Sequence, residues 1–427
     1  MNRAIMKRAV RLLSISFLAF TGLSACAGPL ETSPRPMARG AAPVADAVPD
    51  VDSATQARFN AWVSGFKSRA LANGITEATW RRAMTGVHYN PKVIERDRYQ
   101  SEFTKSIWDY LDGAVSESRI TNGRAMLAKN RRVLERIEAK YGVPKEIVVA
   151  VWGMETNYGT TRGSMGVISS LSTLAYDGRR GEFFAKQLIA ALKIIQSGDV
   201  DAAHMTGSWA GAMGHTQFIP TSYLTYAVDF TGDGRRDIWS NDPTDALAST
   251  AAYLARSGWT KGQPWGVEVT LPSGFNYNLS GKGTTRTPAQ WAAMGVKAAG
   301  GGRVGNYGAA SILLPAGAKG PAFMIFGNFK AISRYNNADS YVLGVGHLAD
   351  RIGGAGPFIN DWPRTGKPLS EKQKVELQER LTARGFDTDG TDGKIGANTT
   401  KAIVAYQKSA GLPADGYATL ELLQTLR

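Results

Sequence analysis

Glu155 follows an apolar run, Ile147-Val148-Val149-Ala150-Val151-Trp152, and is itself followed by Asn157-Tyr158-Gly159. A helix that is apolar on every side is a buried one, and its last turn presents carbonyls with no intrahelical partner. A carboxylate placed there meets the negative end of the helix dipole and, where partly buried, loses hydration. Both effects favour the neutral acid, which is the form a general acid must start in near neutral pH. The same residue would also serve as the structural partner of a nearby cation such as Arg162. Physical chemistry alone does not separate the two readings.

A second concentration of carboxylates spans Asp229-Phe230-Thr231-Gly232-Asp233-Gly234-Arg235-Arg236-Asp237. Oxygen donors at Asp229, Thr231 and Asp233, a turn glycine at Gly234, a backbone carbonyl at Arg235 and a further Asp237 follow the first part of an EF-hand calcium loop. The pattern departs where Ser240 replaces the closing bidentate Glu, and two arginines in the loop oppose a cation. A plain Asx-turn loop is the other reading.

These groups need a scaffold, and the periodicity supplies a mostly helical one. Phe59, Trp62, Val63 and Phe66 recur at three- and four-residue spacing from about Thr55. Further helices are predicted over Thr76–Met84, Gln100–Asp112, Arg119–Tyr141, Pro144–Thr156, Gly181–Ser197, Thr221–Val228, Ala246–Ser257 and about Ser340–Ile352. Pro144 at the start and Gly159 beyond the end frame the Glu155 helix. Between residues 265 and 330 the runs VEVTL, SILLP and PAFMIF are β-prone and separated by Gly-rich turns, which predicts a small β insertion. A Gly/Pro-punctuated stretch then precedes a tail with helical segments at Glu371–Arg384, Ala397–Ala410 and near the end.

The N-terminus sets the compartment. Arg3, Lys7, Arg8 and Arg11 precede the apolar Leu12–Leu23 segment, and Leu23-Ser24-Ala25-Cys26 closes it, which is a secretory signal. Residues 27–52 are rich in Pro and Ala without a hydrophobic period and read as a tether. The chain of 427 residues carries 43% hydrophobic and 20% charged residues, ordinary for globular domains. Its one cysteine excludes a disulfide scaffold and any multi-cysteine metal site. No apolar run reaches the roughly 18–20 residues of a membrane-spanning helix. The net charge of +14 suits polyanions in general, and export disfavours nucleic acid as the partner.

The segment ending in Cys26 resembles the bacterial lipobox, which implies acylation of Cys26 and, with Ala27 next, an outer-membrane anchor facing the periplasm. Trp152-Gly153-Met154-Glu155-Thr156, Asn157-Tyr158-Gly159, Ala210-Gly211-Ala212-Met213-Gly214 and Gln217-Phe218-Ile219-Pro220 together resemble the lytic murein transglycosylase B family. The resemblance runs from about Phe59 to Arg351. It implies a mainly α, lysozyme-like catalytic region with a small β insertion, and Glu155 as the single catalytic acid/base. It assigns the substrate to Tyr110, Arg179, Arg180, Ser208, Gln217, Tyr253, Tyr335, Asn336 and Tyr341. Aromatic faces stack on sugars, amides read acetamido groups, and arginines meet carboxylates. His215 receives no role. The family's longer loop also makes Asp245, with Asp242 beside it, the later ligand to a structural calcium ion held by Asp229, Thr231, Asp233, Arg235 and Asp237. No cofactor is implied for catalysis.

The tail resembles the peptidoglycan-binding repeat domain through Leu377-Gln378, Leu381, Gly385-Phe386, Asp392-Gly393, Gly396, Thr399, Tyr406-Gln407, Gly411-Leu412 and Asp415-Gly416. The expected organisation is a lipoprotein signal over 1–25, a tether over 26–52, a catalytic domain over 53–353, a linker over 354–369 and a separate three-helix peptidoglycan-binding domain over 370–427. The implied reaction cuts the β-1,4 bond between N-acetylmuramic acid and N-acetylglucosamine. It leaves a 1,6-anhydromuramyl end and takes peptidoglycan glycan strands as the partner.

Overall fold

The computed structural model describes residues 51–98, 105–364 and 368–427. The expected signal, Cys26 and the tether up to residue 50 lie outside the described residues, as does the start of the helix expected from Gln100. No helix among the described residues is long and apolar enough to cross a membrane.

The chain is mainly helical. α1 (Ser53–Ala72), α2 (Glu77–Met84), α3 (Pro91–Arg98), α4 (Ile107–Ala114), α5 (Glu117–Lys129) and α6 (Arg131–Tyr141) precede the Glu155 helix, α7 (Lys145–Thr156). A short strand β1 (Met165–Gly166) leads into α8 (Val167–Asp177) and α9 (Gly181–Ser197). β2 (Thr206–Gly207) pairs antiparallel with β1 before α10 (Pro220–Tyr226) and α11 (Thr244–Arg256). Asp52 caps α1 by accepting from Thr55 N at 2.8 Å, which fixes the entry to the folded body. Phe59, Phe66 and Ala70 are its buried stripe, and Trp62 stacks on Phe66 at 5.1 Å.

The stretch expected as one helix over Arg119–Tyr141 is two. Asn130 sits at φ −102°, ψ 15° between α5 and α6, and its Nδ2 donates to the Met126 carbonyl at 2.9 Å. Its short amide competes for the backbone, which is why Asn ends helices. Pattern reading also passed over α3 and α8. α8 is rich in Ser and Thr, and Ser170, Ser172 and Thr173 are buried among its apolar residues, so no apolar stripe stands out in the sequence.

The β-prone stretch forms a four-stranded antiparallel sheet, order β4-β3-β6-β5, from β3 (Gly266–Thr270), β4 (Lys297–Ala298), β5 (Ser311–Leu313) and β6 (Ala322–Ile325). Met324 faces Val267 on one side and Ile312 on the other. With α12 (Pro288–Ala293) the sheet encloses its own core of Val269, Phe275, Trp291, Ile312, Met324 and Phe326. α13 (Gly327–Ser333) and α14 (Asp339–Ile352) return the chain to the helical body, where α14 packs along α7.

The tail is α15 (Glu371–Ala383), α16 (Ala397–Ser409) and α17 (Leu420–Thr425) around Leu377, Leu381, Ile403, Leu423 and Leu426. Its two Asp-Gly turns share one device. Buried Gln378 accepts from Gly393 N at 2.8 Å and donates to Asp392 Oδ1. Gln407 accepts from Gly416 N at 2.8 Å and donates to Asp415 Oδ1. A buried glutamine amide thus holds each turn, fourteen residues before Asp392 in one case and eight before Asp415 in the other. Asp415 Oδ2 also accepts from Ala318 N at 2.7 Å, joining the tail to the β insertion.

Candidate active site

α7 is buried from Ile147 to Gly153, with Val148, Val149, Ala150 and Val151 fully inaccessible. Each such branched side chain contributes about 1.5–3 kcal/mol of burial, so the helix is anchored rigidly up to its last turn. The turn ends in two left-handed residues that are not glycine, Asn157 (φ 47°) and Tyr158 (φ 61°), a conformation that costs free energy and is held only by its surroundings. Tyr158 is tied down by donating to the Arg119 carbonyl at 2.7 Å.

Glu155 is half-buried at this end. Its Oε1 accepts from the Tyr341 hydroxyl at 2.7 Å. Tyr341 is buried in the first turn of α14, and the phenol delivers its proton from the helix packed alongside. Tyr110, on α4, stands close enough for the Glu155 charge to help push its hydroxyl pKa up, burial being the larger cause. Gly344 of α14 makes this convergence possible. A Cβ there would fall 3.0 Å from Met154 Cε and 3.4 Å from Tyr110 Cε1. The alternative partner Arg162 is engaged by the loop before α11, donating to the Trp239 and Ser240 carbonyls at 2.5 and 2.8 Å and to Asn241 Oδ1 at 3.2 Å.

The segment from Gly207 to Phe218 is folded by isolated bridges, Gly207 with Met213 and Met213 with Phe218. Ser208 Oγ accepts from Ala212 N at 3.0 Å within it. Gln217, at φ 55°, donates from Nε2 to the Arg162 and Gly214 carbonyls, each at 3.0 Å. This ties the segment to the backbone that follows α7. Tyr335 donates to the Thr216 carbonyl at 2.6 Å and Tyr253 to the Arg334 carbonyl. Both are buried, and their rings meet at 4.9 Å with Phe218 and Tyr226 against Tyr253. Each phenol bonds the backbone, which fixes the two rings in place beside this segment. Asn336 is half-buried and accepts from Ala338 N at 3.1 Å.

Arg179 is paired within the protein. Its guanidinium makes a two-pronged contact with buried Asp97, at 2.8 Å to each carboxylate oxygen, and a 2.9 Å bond to the Asp97 carbonyl. Arg98 pairs with Asp177 at 2.7 Å beside it, so the two arginines join α3 to the α8–α9 corner. Arg180 lies over the Phe183 ring at 4.4 Å.

The acidic loop brings Asp229, Asp233 and Asp245 together, with one carboxylate oxygen from each within 4.8 Å of the others. Asp245, buried at the first turn of α11, accepts from Phe230, Thr231 and Asp237 backbone N–H groups at 2.9–3.0 Å. Burial nevertheless holds its pKa above the usual carboxylate value, with the Asp229 charge adding to the effect. Asp229 itself accepts from Gly232 and Gly234 N–H and is shifted down, the Gly232 bond first among the causes. Thr231 Oγ1 donates to Asp229 at 3.2 Å, Arg235 N donates to Asp233 at 2.9 Å, and Asp237 accepts from Trp239 and Ser240 N–H. Asp242 instead accepts from the backbone N–H and hydroxyl of Thr244, the first residue of α11. Three converging carboxylates with one held unfavourably charged suit a hard cation.

Sequence reasoning passed over Trp152, Thr156 and His215, which touch one another beneath Glu155. A histidine inside the Gly214–Gln217 motif was the available signal.

Residues 58–350 match the family described as Transglycosylase SLT domain, and residues 370–426 match the putative peptidoglycan binding domain. The membrane-bound lytic murein transglycosylase B of Escherichia coli is 34% identical over 250 residues, spanning 57% of this chain and 66%, just under two thirds, of that protein. SltB3 from Pseudomonas aeruginosa, solved in complex with NAG-anhNAM-pentapeptide, is 53% identical with a TM-score of 0.83, covering 86% of this chain and 99% of its own. The Escherichia coli lytic transglycosylase Slt35, solved in complex with calcium, is 29% identical with a TM-score of 0.59, covering 71% and 94%.

Proposed function

The chain belongs to the lytic transglycosylase family, peptidoglycan-cleaving lyases of the SLT fold, and from that premise we propose that Glu155 alone performs the acid and base steps. Protonated Glu155 gives its proton to the glycosidic oxygen between N-acetylmuramic acid and N-acetylglucosamine. The muramyl acetamido oxygen stabilises the anomeric carbon as the bond breaks. The ionised Glu155 then takes the proton of the same sugar's C6 hydroxyl, whose oxygen closes on the anomeric carbon. The product is a 1,6-anhydromuramyl end, and no water is consumed. A hydrolytic glycosidase instead pairs two carboxyl groups across the bond.

The observation that carries this reading is the Tyr341 phenol on Glu155 Oε1 at 2.7 Å. A phenol donates to the carboxylate once the first proton has left, and yields when Glu155 takes the second. Ser208, Gln217, Asn336 and Tyr110 would contact the sugars flanking the bond, while Tyr253 and Tyr335 hold the wall they stand on. Arg180, and Arg179 held in place by Asp97, would meet substrate carboxylates. Asp229, Asp233 and Asp245, with Thr231, Asp237 and the Arg235 carbonyl, would hold a structural calcium ion, which supplies charge neutralisation and no step of the reaction. Residues 53–353 form the catalytic domain and 370–427 the wall-binding one, with Cys26 carrying a lipid anchor in the outer membrane. Cys26→Ser should therefore release active protein from the membrane fraction.

The deciding experiment is mass spectrometry of the products made from purified sacculi. Anhydro ends, lighter than hydrolysed ends by one water, support the lyase. Hydrated ends overturn it in favour of a muramidase.

A further inference from the structure

His215 is buried directly beneath the turn that carries Glu155. Trp152 Nε1 donates to its Nδ1 at 3.1 Å, and its Nε2 lies 2.7 Å from the Ser240 carbonyl. An indole N–H only donates and a carbonyl only accepts, so these partners assign the neutral tautomer with the proton on Nε2. The backbone is engaged as well. The Thr156 hydroxyl donates to the His215 carbonyl at 2.6 Å, and His215 N donates to the Ile238 carbonyl at 3.0 Å. Gly159, at φ 86°, leaves room for the ring, since a Cβ there would fall 2.5 Å from Nδ1. The residues on either side of Glu155 in this turn, Trp152 and Thr156, are thus both held by one histidine, whose other face grips the 237–241 loop.

We propose that His215 is a positioning residue for Glu155: the neutral imidazole clamps the last turn of α7 to the loop before α11, and protonation at Nδ1 opens the clamp. A second proton would set an N–H against the Trp152 N–H and leave that donor without its acceptor. The charged and titratable groups facing the ring are Arg162, whose Nη1 lies 3.3 Å from Nε2, and the Asp237 and Asp242 carboxylates of the same loop. Trp152 and Thr156 on α7 bring none. Burial, aided by Arg162, outweighs the Ser240 hydrogen bond and the two carboxylates and keeps the histidine pKa below its usual value.

The clamp makes a distinction that depends on the single-carboxyl reading. A Glu155 that must begin protonated is not disabled by falling pH, so an acid-side loss of kcat that disappears in His215→Gln reports the clamp. The experiment compares wild type, His215→Ala and His215→Gln on a soluble glycan fragment, measuring kcat, KM, the pH profile and thermal unfolding. His215→Ala should lower kcat by about 10–100-fold, the scale of a small misplacement of a reacting group, with KM nearly unchanged. His215→Gln keeps a donor for the Ser240 carbonyl and cannot titrate. It should recover part of kcat and lose the acid-side decline, and it carries the test alone if the alanine variant does not fold. Variants that unfold at lower temperature yet keep wild-type kcat and the wild-type acid limb would overturn the proposal and leave His215 as a core residue. Product masses from the same digests keep the two readings apart. Hydrated ends in wild type sink the single-carboxyl chemistry, while the kcat effect at His215 still decides whether it positions Glu155.

Discussion

Glu155 and Asp245 are both acidic residues at helix ends, and they are placed oppositely. Glu155 ends α7, where free carbonyls oppose a negative charge, and a phenol from α14 meets it. Asp245 begins α11, where the dipole favours a negative charge, and three backbone N–H groups converge on it. Even so its pKa is raised, because it is buried and Asp229 stands nearby. One carboxyl is half-buried and meets a phenol, which suits the proton exchange proposed for it. The other is surrounded by backbone donors and by the carboxylates of Asp229 and Asp233, an arrangement suited to a hard cation. Both are carboxylic acids, one a glutamate and one an aspartate, and their neighbours set the two apart.

The sharpest way to break this contrast is Glu155→Gln, which keeps volume and removes the transferable proton. Activity on sacculi should fall at least ~10²–10⁴-fold, the usual weight of a general acid/base, with unfolding temperature unchanged. A residual rate above a tenth of wild type would mean that another group carries the proton.

Tyr341→Phe tests the phenol at the same end. A hydrogen bond to an ionised group contributes about 1.5–3 kcal/mol, so kcat/KM should fall about ten- to a hundredfold. A change seen only in KM would place Tyr341 on the substrate instead of on Glu155.

Much of this pair was legible in advance for different reasons. Glu155 stood out through the specific motif around it, since its place at the helix end left a structural ion pair equally open. The acidic loop stood out through its spacing, and its closure by Asp245 required the family's longer loop. What sequence could not reveal was the identity of long-range partners. The pairing of Arg179 with buried Asp97 on α3, 82 residues away, is one such contact. His215 lies 63 residues from Trp152, and no local period announces such a contact. The helix break at Asn130 and the hidden α8 have local causes, a side chain bonding its own backbone and polar residues inside an apolar helix, that outweigh simple periodicity.

On the Asp245 side, calcium should raise the unfolding temperature without changing the products. Binding only the folded state stabilises it by about 2.7 kcal/mol when free ion exceeds its Kd a hundredfold. The pH dependence follows from Asp245. A carboxyl whose folded pKa is raised stabilises the fold while it is protonated, fully so below its unfolded value of about 3.9, and that stability is lost as pH rises through the folded value. Calcium binds the ionised form and offsets this loss, so its effect on unfolding temperature should be greatest at neutral pH and fade as pH falls through the range where Asp245 takes up its proton. Scans in chelator and in millimolar calcium, repeated for Asp233→Ala, check it. A shift that survives Asp233→Ala places the ion elsewhere.

The smallest effect expected is that of restoring the Glu which the loop spacing calls for. Ser240→Glu would supply a carboxylate where an EF-hand closes on its ion. In this fold, however, the Ser240 carbonyl faces Arg162 and His215, its N–H is held by Asp237 at 3.0 Å, and Asp245 already brings a carboxylate oxygen within 4.8 Å of those of Asp229 and Asp233. The added side chain starts from backbone turned toward the catalytic helix and competes with a ligand already in place. Calcium affinity, read by titration calorimetry, should change by less than about threefold, under 1 kcal/mol. A gain of a hundredfold or more would show that the loop closes at position 240 and that Asp245 is a helix-capping carboxylate alone, which would erase the contrast with Glu155 drawn above.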